Sequence, residues 1–382
     1  MCIVSSDISE KVQALKLDPL YQAWDEKGAV IGATLEITSL CNLKCVHCYM
    51  GDLRQEEKQY SYEQIISIID KMYDYGVLFL TFSGGEPFVR ADFKDIYIYA
   101  KKKGFIVEIF TNGTLIDEQW VEIFKEYPPF LIDISIYGSS EETYFKVTQK
   151  QGEFKKFIKT LNLLRDAGIR FAIKAPVLSL NCQELECMRN ISETFSGENF
   201  RFSFDIVPDR SNKAEPQRFS VDPLAAVLLE IDNGSNYNSM SEVGREGSSW
   251  VKSHINDMLV PKYFCSIGKS TIHIDYNGNV KPCVECMDGY SIFEHDLNWI
   301  ISEFSKIKEQ KVTCDYKCAH CEALTLCKSC PQIRKRIYGD ECIVQEQDCI
   351  MAKLKYMYYV EKVPVEGLRT YYEKYKEGGE MV

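Results

Sequence analysis

The chain has 382 residues, 45% of them hydrophobic and 26% charged, which suits one enzyme-sized domain of about 200 to 250 residues with a smaller companion. A net charge of −11, from 56 acidic and 45 basic residues, argues against a nucleic-acid backbone as partner and favours a peptide, protein or small-molecule substrate. The apolar runs are strand-sized, as in "VLFLTF" (77–82), and the N-terminus lacks a basic stretch followed by an apolar one; the expectation is no membrane span, no secretory signal and a cytoplasmic location.

An N-terminal segment, 1–32, precedes the first expected strand and is too short to supply a domain of its own. From about residue 33 short apolar strands alternate with amphipathic helices. "TLEITS" (34–39) reads as a strand, and after a cysteine-bearing loop a helix starts near Ser61. "VLFLTFS" is the second strand, followed by a helix closed by "KKKG", basic residues and a glycine being a C-terminal signal. "FIVEIF", "FLIDISI", "RFAIKAPV" and "FRFSFDIV" (200–207) continue the alternation to six strands. Strands alternating with helices imply an α/β fold with a parallel sheet and right-handed crossovers. Six units fall short of the eight of a closed barrel, so the expectation is a partial (β/α)6 TIM-like barrel over 33–207. Residues 208–262 turn polar and rich in glycine and serine, reading as a bridging region. A small cysteine-rich domain over 263–352 and a helical tail over 353–382 complete the expected organisation.

Sixteen cysteines in such a chain suggest metal ligation or redox chemistry rather than structural disulfides. Three lie in "CNLKCVHC" (41–48) and ten between Cys265 and Cys349; Cys2, Cys182 and Cys187 stand apart and read as bystanders. The first group follows strand one, "SGGEP" (83–87) follows strand two, "TNGT" (111–114) strand three and "YGSS" (137–140) strand four. In barrels of this type reactive groups sit at the C-terminal ends of strands, so all four loops should crowd one rim. Half a zinc site, or buried small hydrophobes, would also account for three close cysteines. The x3/x2 spacing on a loop leaving a strand better suits three corners of a cubane cluster, with one iron left open.

Together, "CNLKCVHC" and the downstream "GGEP" resemble the radical S-adenosylmethionine (SAM) superfamily, over roughly residues 33–207. The resemblance implies that Cys41, Cys45 and Cys48 ligate three irons of a catalytic 4Fe–4S cluster, with His47 in the family's aromatic position. It implies that the amino and carboxylate groups of SAM fill the fourth iron's open position. Glu86 and the backbone of Gly84 and Gly85 would accept from the methionyl amine, and Ser135 would bond the ribose. Asn112 and Lys174 would help hold SAM or serve the structure alone, and Tyr49 would contact adenine or pack. The implied chemistry is reductive cleavage of SAM to methionine and a 5′-deoxyadenosyl radical, which takes hydrogen from an unactivated substrate position. A low-potential electron donor, flavodoxin or ferredoxin, is the implied partner.

The C-terminal field resembles the SPASM extension of radical-SAM enzymes, which carries two auxiliary 4Fe–4S clusters. Cys265, Gly278 and Cys283 match the first part of its pattern, with "DYNGNVKPC" as a hairpin whose Asn-Gly is a turn signal. Zinc knuckles built on Cys318/Cys321 and Cys327/Cys330 are the alternative. The resemblance assigns Cys318, Cys321, Cys327 and Cys349 to one cluster, and Cys265, Cys283 and Cys330 to the other. Cys286 is the candidate fourth ligand of the second, the alternative being an open iron. Cys314 and Cys342 are spare, unless Cys342 displaces Cys349. One departure stands out: two residues separate Cys327 from Cys330 where the family has three. Enzymes of this architecture modify ribosomally made peptides or proteins, so the expected activity is an oxidoreductase that installs an oxidative crosslink, thioether or carbon–carbon. A sulfatase-maturing (formylglycine-generating) enzyme and a small-molecule radical-SAM dehydrogenase are the alternatives. The peptide's leader would be read directly or by a separate leader-peptide-binding protein.

Overall fold

A computed structural model describes residues 29–378 apart from 56–59, 211–214, 234–236, 254–258, 264, 266 and 314–316. Residues 1–28, with Cys2, and Cys314 therefore lie outside the described residues. The chain divides into two compact units, one running to residue 220 and taking in 266–307, the other made of 221–265 and 308–382.

The first unit is built on six parallel strands in sequential order. They are β1 (Gly32–Thr38), β2 (Phe79–Gly84), β3 (Ile106–Thr111), β4 (Leu131–Ser135), β5 (Phe171–Pro176) and β6 (Arg201–Ser203). The connecting helices are α1 (Tyr62–Tyr75), α2 (Phe93–Lys103), α3 (Glu118–Glu126), α4 (Glu141–Thr148), α5 (Glu153–Asp166) and α6 (Leu185–Phe195). The expected α/β partial barrel is the observed fold, although the sixth strand is shorter than its apolar run suggested. Local chemistry sets the helix ends. Ser61 and Gln64 close a capping box on α1, and Gly76 ends it at a φ of 100°.

Alternation along the strands separates two faces. Leu35, Ile37, Leu80, Phe82, Val107, Ile109, Ile132 and Ile134 form the apolar core. The other face carries Glu36, Thr81, Glu108, Asp133, Lys174 and Arg201, and several of these side chains meet there. Thr81 donates to Glu108 at 3.1 Å, and Asp133 pairs with Arg201 and, at 3.5 Å, with Lys174. A buried face with this much charge is out of place in a packed barrel core and suits a polar cavity floor.

The sheet does not stop at β1. The hairpin expected around Asn277-Gly278 forms from β8 (Thr271–Ile274) and β9 (Asn279–Lys281), the second unit holding the short β7 (Leu259–Pro261). Strand β8 pairs in parallel with β1, placing Thr271–Ile274 beside Gly32–Leu35. Sequence reasoning placed this hairpin in the cysteine-rich domain; the backbone ladder assigns it to the barrel's unit instead.

In the second unit α7 (Pro223–Asp232) packs with two later helices, Glu346–Tyr359 and Val365–Lys376, around Val227, Ile350, Leu354, Met357, Leu368 and Tyr372. The first of these runs through the expected boundary at 352/353. Within the stretch expected to be a bridge, the helix α8 (Tyr237–Ser253) takes up the part richest in glycine and serine. Its glycines serve close packing rather than turns: a Cβ on Gly247 would meet Thr325 at 2.1 Å, and one on Gly244 would meet Val360 at 2.5 Å. Among the described residues, no helix is long and apolar enough to cross a membrane.

Candidate active site

The C-terminal ends of β1, β2 and β3 hold the first cysteine group, and the glycines of "SGGEP" explain how. The N–H of Gly85 donates to the Thr38 carbonyl at 2.8 Å and that of Glu86 to the Leu40 carbonyl at 2.8 Å. A Cβ on Gly84 would lie 2.2 Å from the Thr38 carbonyl oxygen; one on Gly85 would lie 2.1 Å from that of Leu40. Only residues without a side chain allow the second loop to lie against the backbone that leads into Cys41.

Glu86 sits at the centre of this arrangement. Its carboxylate is fully buried and accepts from the Thr111 hydroxyl and the Asn112 N–H, both at 2.8 Å, and from the Phe88 N–H at 3.3 Å. Burial pushes its pKa up to about 7, against the pull of these donors. Glu86 thus braces the second loop to the third, whatever further contact its oxygens make.

Asn112 extends the brace to the cysteines. Its side-chain amide donates to Asn42 Oδ1 at 2.9 Å and approaches Cys41 Sγ at 3.9 Å, where the Leu43 N–H also points, at 3.4 Å. Asn42 in turn donates to Thr114 Oγ1 at 2.9 Å, and Lys150 donates to the Asn42 carbonyl at 3.0 Å. The loop is anchored further by Lys44 N–H to the Thr148 carbonyl and Val46 N–H to the Val147 carbonyl, each at 3.0 Å. Sequence reasoning missed Asn42, Thr114 and Lys150. The "N" inside "CNLKC" and the "T" closing "TNGT" were legible as polar loop residues, but their pairing is tertiary.

The remaining expected site residues sort clearly. His47 lies 5.5 Å, ring to ring, from the buried Tyr137. Burial, with Cys45 and Cys41 among the nearby groups, raises the Tyr137 pKa well above its ordinary value. Tyr49 donates to Glu36 at 3.2 Å and stacks under the Arg210 guanidinium, 5.0 Å from its ring centre. Ser135 ends β4 opposite Lys174 on β5. Lys174 sits 3.3 Å over the Phe110 ring and pairs with Asp133, on the charged face of the sheet.

The second unit gathers four other cysteines. Burial raises the Cys327 thiol to about 12, with Cys318 and Cys349 among the further causes. It raises Cys349 to about 11, with Cys318 and Cys321 adding to the effect. Cys318, Cys321, Cys327 and Cys349 thus lie within electrostatic reach of one another, the set expected for one cluster. Cys342, the alternative to Cys349, is exposed, its backbone N–H turned to Asp340 Oδ1. Cys330 precedes the helix Pro331–Tyr338, in the same unit as Cys265. Cys283 and Cys286 share a turn in the barrel's unit, joined by a 3.1 Å backbone bond. Cys182 is buried in a short 3-10 helix and Cys187 is exposed. Among the described residues no three His, Cys, Asp or Glu side chains converge on a single ion position; thiolates meet a cubane at its separate corners, and the donor set here, cysteine alone, fits that group.

A parallel partial barrel with three cysteines at one strand end, braced by glycine and asparagine loops, defines an enzyme whose reactive centre is held at the barrel rim. Residues 35–184 match the radical SAM superfamily, and the chain carries a radical SAM domain, the class that binds SAM at a cysteine-held iron–sulfur cluster. The antilisterial bacteriocin subtilosin biosynthesis protein AlbA of Bacillus subtilis is 32% identical over 45% of this chain and 39% of its own length. An AdoMet-dependent heme synthase of Methanosarcina barkeri is 25% identical over 82% of this chain and 95% of that protein. Streptococcus suis SuiB bound to precursor peptide SuiA shares the fold, with a TM-score of 0.59 and 17% identity over 80% of this chain and 72% of that one. The chain spans less than two thirds of the length of several curated relatives it matches.

Proposed function

We propose that this chain is a radical SAM maturase that takes hydrogen from a ribosomally made peptide and closes an oxidative crosslink, thioether or carbon–carbon. The observation that carries this reading is the gathering of Cys318, Cys321, Cys327 and Cys349 in a unit apart from the three-cysteine loop. Such a group gives an oxidative reaction somewhere to put an electron. When bound, the rim cluster and SAM supply the 5′-deoxyadenosyl radical, to which one C–H hydrogen of the peptide passes. Ring closure would also release one electron and one proton; a cluster held by Cys318, Cys321, Cys327 and Cys349 would supply the acceptor for the electron, and solvent would take the proton. Cys41, Cys45 and Cys48 would hold the rim cluster, and Asn112 and the Leu43 N–H would orient the Cys41 sulfur. Glu86, Gly84 and Gly85 would shape the SAM seat with His47, Tyr49, Ser135 and Lys174, while Glu108, Asp133 and Arg201 would present charge to the substrate. The relative AlbA, a bacteriocin subtilosin biosynthesis protein, and the precursor peptide bound to SuiB support this class of substrate. A low-potential donor in the cytoplasm would reduce the rim cluster.

The test is anaerobic incubation of the iron–sulfur-reconstituted protein with reductant, SAM and the short peptides encoded beside its gene. Release of 5′-deoxyadenosine with loss of a hydrogen pair from one peptide is expected, and Cys45→Ala should abolish both. Undiminished release from Cys45→Ala would overturn the site. Synthesis of heme is a second reading, favoured by the near full-length match to the heme synthase. Conversion of an iron porphyrin, with every peptide mass unchanged, would select it.

A further inference from the structure

The outer side of the first cysteine loop is positively charged, in a chain whose balance is −11. Lys44 is exposed and directly precedes the buried Cys45. The loop rests on the end of α4: the Lys44 and Val46 N–H groups, on either side of Cys45, donate to the Thr148 and Val147 carbonyls. Lys150, just past that helix, donates to the Asn42 carbonyl and lies 3.5 Å from Glu153. Glu153 also takes Lys156, at 2.9 Å, and is itself fully buried. One sunken carboxylate thus answers two lysines, and positive charge is left over. Across residues 141–159 five lysines stand against three glutamates. Phe145, next to Lys146 on α4, keeps 39% of its surface exposed. An aromatic side chain rimmed by charge is the composition of a protein-docking surface.

We propose that this surface, Lys44 with Phe145, Lys146, Lys150 and Lys156, docks an acidic low-potential electron-transfer protein that reduces the rim cluster through its Cys45 corner. The inference rests on the reading of Cys41, Cys45 and Cys48 as the ligands of that cluster. A chain this acidic repels an acidic donor over most of its surface, so a local positive field is what steers one to a productive position. Lys44 adjoins Cys45, so the electron crosses little protein between donor and cluster. The step moves one electron: the donor is oxidised by one, the cluster is reduced by one, and no bond forms or breaks. Position also separates this partner from the substrate. Connecting helices form the outer layer of such a barrel, so a peptide bound here would lie outside it, away from the polar floor where hydrogen is taken.

The test mixes full-length reconstituted protein with a reduced acidic flavodoxin, without oxygen, and follows cluster reduction by freeze-quench electron paramagnetic resonance. The rim signal is identified as the one missing from Cys45→Ala. The double variant Lys44→Glu/Lys156→Glu should slow reduction by flavodoxin about tenfold at low salt. The gap should narrow in about 1 M salt, where charges are screened within about 3 Å, and dithionite should reduce variant and wild type alike. Lys94→Glu/Lys102→Glu, on α2, changes the net charge equally and should stay within about twofold of wild type. If the first variant loses its cluster, Lys146→Glu, which leaves the contacts of the cysteine loop in place, should still slow the donor about threefold. Patch variants as fast as wild type, or an α2 variant equally slow, would overturn the proposal. So would a wild-type cluster that dithionite reduces and flavodoxin does not. Absence of any signal that depends on Cys45 after dithionite would instead remove the rim-cluster reading, an outcome distinct from these.

Discussion

The carboxylate of Glu36 and the guanidinium of Arg210 form a buried two-point pair, with oxygen-to-nitrogen distances of 2.7 and 2.5 Å. Burial alone would raise the Glu36 pKa, but Arg210 and His273 outweigh it and hold the carboxyl well below the usual carboxylate range. The pair joins three pieces of chain. Glu36 lies on β1 two residues before its end, His273 on the added strand β8, and the Arg210 N–H donates to the Tyr49 carbonyl, next to Cys48, at 2.8 Å. Arg210→Met leaves Glu36 buried without its main partner and should cost about 3 to 5 kcal/mol, measured by urea unfolding. The sign of the pH effect follows from the depressed carboxyl. Its contribution is present above the unfolded value of about 4.3 and lost as pH falls through the folded one. The advantage of wild type over Arg210→Met should therefore shrink on acidification below about pH 4.

Gly85→Ala tests the wedge beneath the first cluster. The new methyl would meet two backbone carbonyls, those of Leu40 and Ser39, at 2.1 and 2.4 Å. Backbone cannot rotate away as a flexible side chain would, so the entry to the cysteine loop must move. The expected outcome is a folded protein lacking the rim cluster, about four irons fewer per chain, with 5′-deoxyadenosine release lost. Iron analysis and near-ultraviolet absorption distinguish this from global unfolding, and full iron content would contradict it.

What the sequence made legible and what it hid divide along a physical line. Strand and helix order follow from local periodicity, and the rim follows from that order because each loop leaves the C-terminal end of a parallel strand. The cysteine spacings and the Asn277-Gly278 hairpin are equally local. The hairpin's partner was not. Strand β8 lies more than 230 residues along the chain from its neighbour β1, and nothing within "TIHI" names the edge it will join. The helix α8 was read as a bridge because glycine and serine usually signal turns, whereas there they make room for Thr325 and Val360. The charges on the barrel floor were visible, one in each of "TLEIT", "FIVEIF", "FLIDIS" and "FAIKAP". Their meaning needed the sheet, which puts Lys174 beside Arg201 in register and lets both reach Asp133.

Asn112 links the third loop to the first cysteine, and its removal should be felt at the metal more than in the fold. Asn112→Leu keeps the volume but loses the amide that reaches Asn42 Oδ1 and Cys41 Sγ. Groups that orient a ligand typically contribute about 10- to 100-fold to metal affinity or activity. A fall of that size in 5′-deoxyadenosine release is expected, with the four-cysteine group of the second unit unaffected. Anaerobic iron chelation followed by absorbance should show faster loss of the rim cluster alone. Equal loss from all clusters would point to a general packing defect instead.

Glu86 gives the opposite pH signature to Glu36. Burial raises its pKa from 4.5 to about 7 in the folded chain, so the native state binds the proton more tightly than the unfolded state does. Stability from this group is complete below the unfolded value and declines as pH rises through the window between the two, levelling above about pH 7. A shift of that size corresponds to about 3 kcal/mol. Glu86→Gln keeps the shape and cannot ionise, so its own stability should lack this decline. Urea unfolding of both proteins, without SAM, at about pH 5 and pH 8 reads the effect. Wild type should lose about 2.5 kcal/mol relative to Glu86→Gln over that interval, and a constant difference would show that the carboxyl stays ionised throughout, held by its bonds to Thr111, Asn112 and Phe88.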